Sequence, residues 1–596
     1  MNNQLPFYSE KLVTRTSWQG FERLVLRLLI LQGFEHTWHV GTSGDGGADL
    51  LAVRTNKQTG EGTRWLFQVK KYKSSVGLEV VNETLRAAQK YGAQVPVIVA
   101  SGGFSKSVFD RQAELMQQGI PLQLWDLPRI ESIGKKLPEI PIVEQVGQEL
   151  KLRNYQELAV QRILQRNQED IRNALVVLAT GLGKTVVAGE AVRRLRIAKG
   201  SDSRVLVLAH TIDLVHQLER SFWPFISTLD ATCVLSGNER PQSWADLERY
   251  SFVFATKDTV HSAQAAGVFP NIFDIVVVDE CHHLGAEIYE SVLNELEVGE
   301  IDGPFLIGLT ATPWRPNGES LEHRFDDPVV VVDLPTGLRD GYLANVDYRI
   351  YTDNVDWERL RDLEGDRFTP DKINRTLFIT EWDNAVIDRT AETWVELVGN
   401  RRGVVFCGTI SQAQQIAQKI NALGFTRAEA IASRKADGKM LTPVERGRIL
   451  WDFANGKIGI LCAVDVLNEG IDVPDVNLVV FQRVTHSRRI FIQQLGRGLR
   501  LKEGKDKVVV LDFVTDIRRF AEGLSLGKAL DDDGPRPGDV RTVDVNHKVR
   551  FMRRTDEDLD AATFLKVWLG DIEVVAGAGE DASVLKFPDL VHLPAR

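Results

Sequence analysis

Leu175-Val-Val-Leu-Ala-Thr-Gly-Leu-Gly-Lys-Thr185 decides the fold of the larger part of this chain. An apolar run enters a Gly-rich turn ending in Lys-Thr, the pattern in which a buried strand gives way to backbone N–H groups wrapped around a phosphate. Thr180, Gly181, Leu182 and Gly183 are expected to form that loop, with Lys184 reaching the β- and γ-phosphates and the Thr185 hydroxyl set on Mg²⁺. Two distant blocks supply what γ-phosphate cleavage needs besides the cradle: Asp279-Glu-Cys-His282 and Gln493-Gln-Leu-Gly-Arg-Gly-Leu-Arg500. Asp279, closing the run Ile275-Val-Val-Val278, is placed to hold Mg²⁺, and Glu280 to orient and deprotonate the attacking water. Arg497 and Arg500 lie one helical turn apart in what reads as a second lobe, so they would reach the nucleotide only when two lobes close. Together the three blocks read as an ATP motor.

The runs around the loop repeat its form. Val205 to Ala209, Phe252 to Ala255, Ile275 to Val278 and Phe305 to Leu309 are short apolar stretches, several ending in a polar motif, as strands buried on both faces of a parallel sheet do. Motifs at strand carboxyl ends sit where open parallel sheets bind ligands. The alternation resumes with Val404 to Cys407, Ile458 to Cys462, Leu478 to Phe481 and Val508 to Phe513, and with a helical segment at Ser411 to Leu423. The fold class is therefore α/β, with two tandem parallel-sheet lobes at 151–335 and 336–530. Ahead of them, 1–135 reads as a separate small α/β domain. It has a helix at Ser17 to Leu31 and strands near Trp65 to Lys70 and Pro96 to Ala100, and a linker at 136–150 carries Pro138 and Pro141. Residues 531–596 open on Asp531-Asp-Asp-Gly-Pro-Arg-Pro537 and form an accessory segment without an assignable motif.

At 596 residues, 43% hydrophobic and 26% charged, the chain has room for several ordinary globular cores and is neither fibrous nor disordered in class. The stretch Leu24 to Leu31 is interrupted by Arg27 and preceded by Glu22 and Arg23, which makes it an amphipathic helix and not a membrane span. With no signal peptide visible in Met1 to Lys11 and four widely separated cysteines, a reduced cytoplasmic protein is expected. The net charge of −10 does not exclude nucleic acid, because phosphate contact depends on a local basic groove. Candidate grooves are Lys70-Lys-Tyr-Lys73, Arg401-Arg402 and Arg483 to Lys507, each of which also reads as a solvated face.

Residues 150–520 resemble the superfamily 2 helicases and translocases of the DEAD/DEAH group. Arg153-Asn-Tyr-Gln156 resembles the adenine-reading element, which makes Arg153 and Gln156 nucleotide contacts. Leu208 to Gln217 and Ala255-Thr256 resemble strand-contacting motifs, and Thr310-Ala-Thr312 the element coupling ATP to nucleic acid. Val464 to Asp472 resembles the motif before the arginine fingers, with Gly470 and Asp472 approaching the nucleotide, and Glu469-Gly-Ile-Asp472 is most similar to restriction-enzyme motor subunits. Two positions depart from the pattern: Leu178 stands where a strict phosphate loop has glycine, and Cys281 replaces the usual alanine.

A second chemistry precedes the motor. Gly44-Asp-Gly-Gly-Ala-Asp49 and Trp65-Leu-Phe-Gln68-Val-Lys70 read as a hairpin in which Asp49 starts one strand while Gln68 and Lys70 share a face of the next. Asp49 and the carbonyl of Val69 could hold a divalent metal that activates water, with Lys70 steadying charge on a phosphodiester. Residues 15–130 resemble the PD-(D/E)xK nucleases, and within them the Mrr-like restriction branch, where Gln stands in the second acidic position. The resemblance makes Gln68 a catalytic-site residue and, through Phe21-Glu22, makes Glu22 a third metal-site carboxylate. Two blander readings stay open: an ordinary turn and strand face, or a duplex-binding module that does not cut.

The motifs combine into an expectation of an ATP-hydrolysing DNA helicase or translocase with an attached Mg²⁺-dependent endonuclease, serving restriction or antiviral defence. Duplex DNA is the expected partner, with defence-system subunits possible in addition and no membrane. The alternatives are a DNA repair helicase, or an ATP-gated DNA sensor, whose N-terminal domain binds without cutting. An RNA helicase is a weaker fourth reading.

Overall fold

The computed structural model describes residues 5–39, 47–56, 59–144, 151–200, 202–284, 287–300, 302–311, 321, 323–333, 336–337, 340–352, 380–397, 399, 401–432, 441, 443–464, 476–482, 507–514 and 549–551. Three sheets organise them. The first has five strands in sequence order, β1 Glu35–His39, β2 Leu50–Thr55, β3 Gly62–Lys70, β4 Val95–Ala100 and β5 Gln123–Trp125. β1, β2 and β3 pair antiparallel, while β4 and β5 join in parallel through helical crossovers such as Leu78–Tyr91. β4 is buried at every position, as a central strand covered on both faces must be.

The second sheet contains β6 Asn173–Leu178, β7 Val205–Ala209, β8 Thr232–Leu235, β9 Phe252–Thr256, β10 Ile275–Asp279, β11 Phe305–Thr310 and β12 Val330–Val332. Its order is β12-β6-β11-β10-β7-β9-β8 with parallel pairing throughout. The third holds β13 Asn345–Thr352, β14 Gly403–Phe406, β15 Ala428–Ala432, β16 Ile460–Val464, β17 Leu478–Phe481, β18 Lys507–Val514 and β19 Val549–Phe551, again all parallel. β19 comes from the C-terminal segment and lies beside β13, so that segment contributes a strand to the second lobe's sheet. The two parallel sheets and the mixed N-terminal sheet are the α/β architecture the apolar runs imply. Those runs and the hairpin reading locate every inner strand except β13, whose residues interleave polar and apolar side chains; the other strands they do not locate, β1, β5, β8, β12, β15 and β19, are the edges of the three sheets.

The N-terminal domain is not a loosely tethered bead. The helix Trp18–Leu31, capped by the Ser17 hydroxyl, reads as amphipathic, yet every residue from Phe21 to Leu29 is buried, charges included. Its two arginines face the first lobe. Arg23 donates to Glu239 at 2.6 and 2.7 Å and lies 2.6 Å from Glu219, all within a buried pocket. Burial by itself would lower the Arg23 pKa, but Glu219 and Glu239 raise it above the ordinary arginine value. Arg27, 1% exposed, donates to the carbonyls of Asp230 and Ser227 at 2.8 Å each and stacks over Phe7. The stretch read as a linker also packs, its Pro138 carbonyl accepting from Thr228 at 3.0 Å.

Removing one member of a buried ion cluster strands the others without water. Arg23→Ala is therefore expected to destabilise the joined domains by about 3–5 kcal/mol. In a denaturant melt that loss should appear as an early transition of the N-terminal domain separating from the first lobe. A shift under about 1 kcal/mol would mean the cluster is wet.

A second expectation concerns pH. His216 faces the same interface, and burial, then the charges of Arg23 and His39, push its imidazole down to about 3 from an ordinary value of 6.5. Between those values the unfolded chain binds a proton that the folded protein refuses, so this contribution is complete above the unfolded pKa and is lost as pH falls toward 3. Melting temperature should drop from pH 7 to pH 5, and His216→Gln should flatten the slope by about one proton, ~1.4 kcal/mol per pH unit.

Candidate functional sites

The motor site assembles at the carboxyl ends of β6, β10 and β11, three neighbours in the sheet. After β6 the chain turns through 179–183 into the helix Lys184–Lys199. Gly181 and Gly183 hold φ of +91° and +84°, the left-handed region that a side chain disfavours. A Cβ on Gly183 would also sit 2.6 Å from Nε2 of Gln156, so the loop closes tightly on the helix Asn154–Gln168. Gln156 donates to the Leu182 carbonyl at 2.9 Å and accepts from the Arg153 backbone N–H at the same distance. Tyr155 joins it, donating to the same Leu182 carbonyl at 2.8 Å, a contribution the motif reading does not single out. Arg153 reaches forward to the carbonyl of Tyr342 at 2.7 Å, and the Tyr155 and Tyr342 rings lie 4.6 Å apart. The segment that leads into the second lobe is thereby attached to the residues that shape the phosphate loop.

Asp279 ends β10, buried, and Glu280 follows in a left-handed conformation with φ 49° and ψ 50°. A non-glycine residue held there stores strain and aims its carboxylate in a direction extended chain does not provide. Lys184 Nζ lies 3.4 Å from Glu280 and His282 lies 3.2 Å from it. Burial pushes the Glu280 carboxyl up, but Lys184 and His282 hold it below the usual carboxylate range. Asp279 is shifted upward, by burial and then by the charge of Glu280. Oδ1 of Asp279 and the Thr180 hydroxyl are buried without a hydrogen-bond partner, a combination that a metal-bound nucleotide would satisfy. Thr185 stands on the first turn of the helix after the loop, where its hydroxyl suits the same ion. From this center polar side chains extend outward: His282 meets the Thr310 hydroxyl at 3.1 Å, its ring lies tilted 4.3 Å from that of His283, and the His283 ring lies tilted 4.7 Å from that of His210. His283 is absent from the motif reading, because its ring neighbour His210 follows a different strand, β7. Arg497, Arg500, Gly470, Asp472 and Thr312 lie outside the described residues.

The second site lies on the β2–β3 hairpin. Asp49 sits one step before the pair Leu50 and Phe67, its backbone N–H donates to the Phe67 carbonyl, and its carboxylate accepts from the Val69 N–H at 2.6 Å. In an extended strand the N–H and C=O of one residue point to the same side, so the Val69 carbonyl also faces Asp49. Gln68 and Lys70 share the face that carries Leu66, with Gln68 wholly buried and Lys70 half-buried. Gln68 meets the Thr84 hydroxyl through Oε1 and donates to Glu83 at 3.0 Å through Nε2, both partners belonging to the helix Leu78–Tyr91. Glu22 is 3% exposed and meets His39 at 2.7 Å. Among the described residues no three His, Cys, Asp or Glu side chains form a metal cage; the turn 40–46 with Asp45 is outside them.

The face that bears Asp49 and Gln68 continues into a contact with the second lobe. Trp451, from the helix Pro443–Ala454, is buried against Ala48, Leu51, Leu66 and Ala87, with its ring 6.1 Å from that of Trp38. Leu51 and Leu66 are one side-chain repeat from Asp49 and Gln68 on their strands, so a motor residue shares an apolar cluster with the neighbours of the hairpin site.

Three family models match separate stretches of the chain. Residues 13–133 match the restriction endonuclease model of the Mrr catalytic type, 149–315 the type III restriction enzyme res subunit, and 389–502 the helicase conserved C-terminal domain. One region of the chain is thus similar to restriction endonucleases and two others to a restriction-enzyme res subunit and to helicases. It is 28% identical over 391 residues to the Type I restriction enzyme EcoAI endonuclease subunit of Escherichia coli, covering 62% of this chain and 47% of that one. Similarity to the DNA 3'-5' translocase XPB2 of Sulfurisphaera tokodaii is 26% over 389 residues, 61% of this chain and 82% of the relative. A solved structure of the ATP-dependent Type ISP restriction-modification enzyme LlaBIII bound to DNA shares the fold, with a TM-score of 0.51 at 18% identity, over 93% of this chain and 41% of that one. The chain spans about half the length of the restriction subunits it matches. Among the described residues no helix is long and apolar enough to cross a membrane.

Proposed function

We propose that this chain is an ATP-driven translocase on duplex DNA that carries its own Mg²⁺-dependent endonuclease and works in restriction of foreign DNA. The observation that carries the proposal is Trp451: a motor side chain buried in one apolar cluster with Ala48, Leu51 and Leu66, the strand neighbours of Asp49 and Gln68, ties the second lobe to the hairpin that bears the cutting site. In the motor, Lys184 neutralises the terminal phosphates and Glu280, kept ionised by Lys184 and His282, accepts the proton of the attacking water. Arg497 and Arg500 would approach the γ-phosphate from the second lobe on closure. Bound Mg²⁺ supplies charge neutralisation at the phosphates and a more acidic water at the phosphodiester. In the hairpin, Asp49 and the Val69 carbonyl would hold the ion, while Lys70 steadies the departing charge.

The buried neutral Gln68 favours a second reading, a domain that grips DNA without cutting it. Triplex displacement tests the motor half: ATP should release a third strand placed downstream on linear duplex, and Glu280→Gln should not. A protein that hydrolyses ATP with no displacement would be an ATP-gated DNA sensor.

A further inference from the structure

The second carboxylate of the nuclease site stands on a helix and not on the strand. Resting on the nuclease reading above, we propose that Glu83 is a metal-binding catalytic residue and that Gln68 is the residue positioning it.

Gln68 occupies the strand position where a second acid would project, yet it is fully buried and both ends of its amide are used. The atom facing a carboxylate must be the NH₂ group, because an amide oxygen there would meet another acceptor. That fixes Nε2 on Glu83 and turns Oε1 to the buried Thr84 hydroxyl, away from any ion. Gln68 therefore lacks the charge a divalent cation asks for and directs its free proton donor at a group that has it. Glu83 is half-buried, so it accepts the Gln68 hydrogen bond on Oε2 and still has a side open to solvent. The turn that delivers Asp49 presses on the same two side chains. A Cβ on Gly47 would lie 3.0 Å from Glu83 and 3.1 Å from Gln68 Nε2, and φ of +102° there suits glycine alone. Asp49, at the strand start, and Glu83, on the helix, are thus held by consecutive residues of β3, Asp49 accepting from the Val69 N–H and Glu83 from Gln68, and together carry the two negative charges that offset a divalent cation.

The proposal distinguishes a ligand from a brace. Glu83→Gln keeps an acceptor for Gln68 but removes the charge, so a bracing role predicts no loss. We expect Mn²⁺ affinity of the full-length protein, measured by calorimetry without nucleotide, to fall at least about tenfold, with DNA cleavage falling further. The exchange Gln68→Glu with Glu83→Gln reverses the hydrogen bond and restores the charge, and should recover Mn²⁺ binding that either substitution alone disturbs. DNA-stimulated ATP hydrolysis should stay at the wild-type rate in all three variants. Wild-type Mn²⁺ affinity and cleavage in Glu83→Gln, with both lost in Asp49→Ala, would overturn the role of Glu83 and leave the nuclease standing. If wild type and Asp49→Ala bind Mn²⁺ alike and neither cuts, the nuclease reading fails, and this one with it.

Discussion

Lys184→Ala is expected to lower DNA-stimulated ATP turnover at least about a thousandfold, equivalent to about 4 kcal/mol of transition-state stabilisation. Two losses coincide in that substitution. The nucleotide loses the cation at the start of the helix after the phosphate loop, and Glu280 loses the neighbour 3.4 Å away that holds its carboxyl ionised. Glu280→Gln separates the two effects. It should leave ATP binding near wild type while hydrolysis falls by a similar factor, because the amide cannot take the proton of the attacking water. Filter binding of ATP beside steady-state phosphate release reads both quantities. Turnover within tenfold of wild type in Lys184→Ala would remove the motor from the account.

Asp49→Ala should abolish DNA cleavage, a drop of about a thousandfold or more, with ATP turnover unchanged. The size follows from position: Asp49 is the carboxylate at the strand start, already fixed by the Val69 N–H, and the same edge presents the Val69 carbonyl. Lys70→Ala should reduce cleavage as well, but with metal affinity preserved, since an ammonium group acts on the phosphodiester and not on the ion. Nicking of supercoiled plasmid beside ATP hydrolysis in one reaction separates a dead nuclease from a misfolded protein. Wild-type cutting by Asp49→Ala would move the nuclease elsewhere or discard it.

What could be read in the residues alone was whatever lies close in sequence. The phosphate loop, the Asp279-Glu280 pair and the Gln68-x-Lys70 strand are each complete within a few positions, and strand periodicity places each at a strand end. Contacts made across the fold stayed hidden. Arg23 and Arg27 interrupt an apolar run and so look like a solvent face, while their partners Glu239 and Asp230 lie about two hundred residues on. Glu83 belongs to a helix with an ordinary amphipathic pattern, and only its approach to Gln68 marks it. Trp451 looks like any core aromatic of its helix until Leu51 and Leu66 are seen against it. Pro138 and Pro141 mark a break in periodicity and so read as a linker, while the Pro138 carbonyl in fact accepts a hydrogen bond from Thr228 of the first lobe.

Coupling of the motor to the nuclease is the central claim, and one assay addresses it: cleavage of unmodified and modified plasmid with Mg²⁺, run with ATP, with a non-hydrolysable analogue and without nucleotide. Cutting that requires hydrolysable ATP and disappears in Glu280→Gln is the predicted result. Equal cutting in all three nucleotide conditions would contradict the account, leaving a nuclease and a motor that merely share a chain.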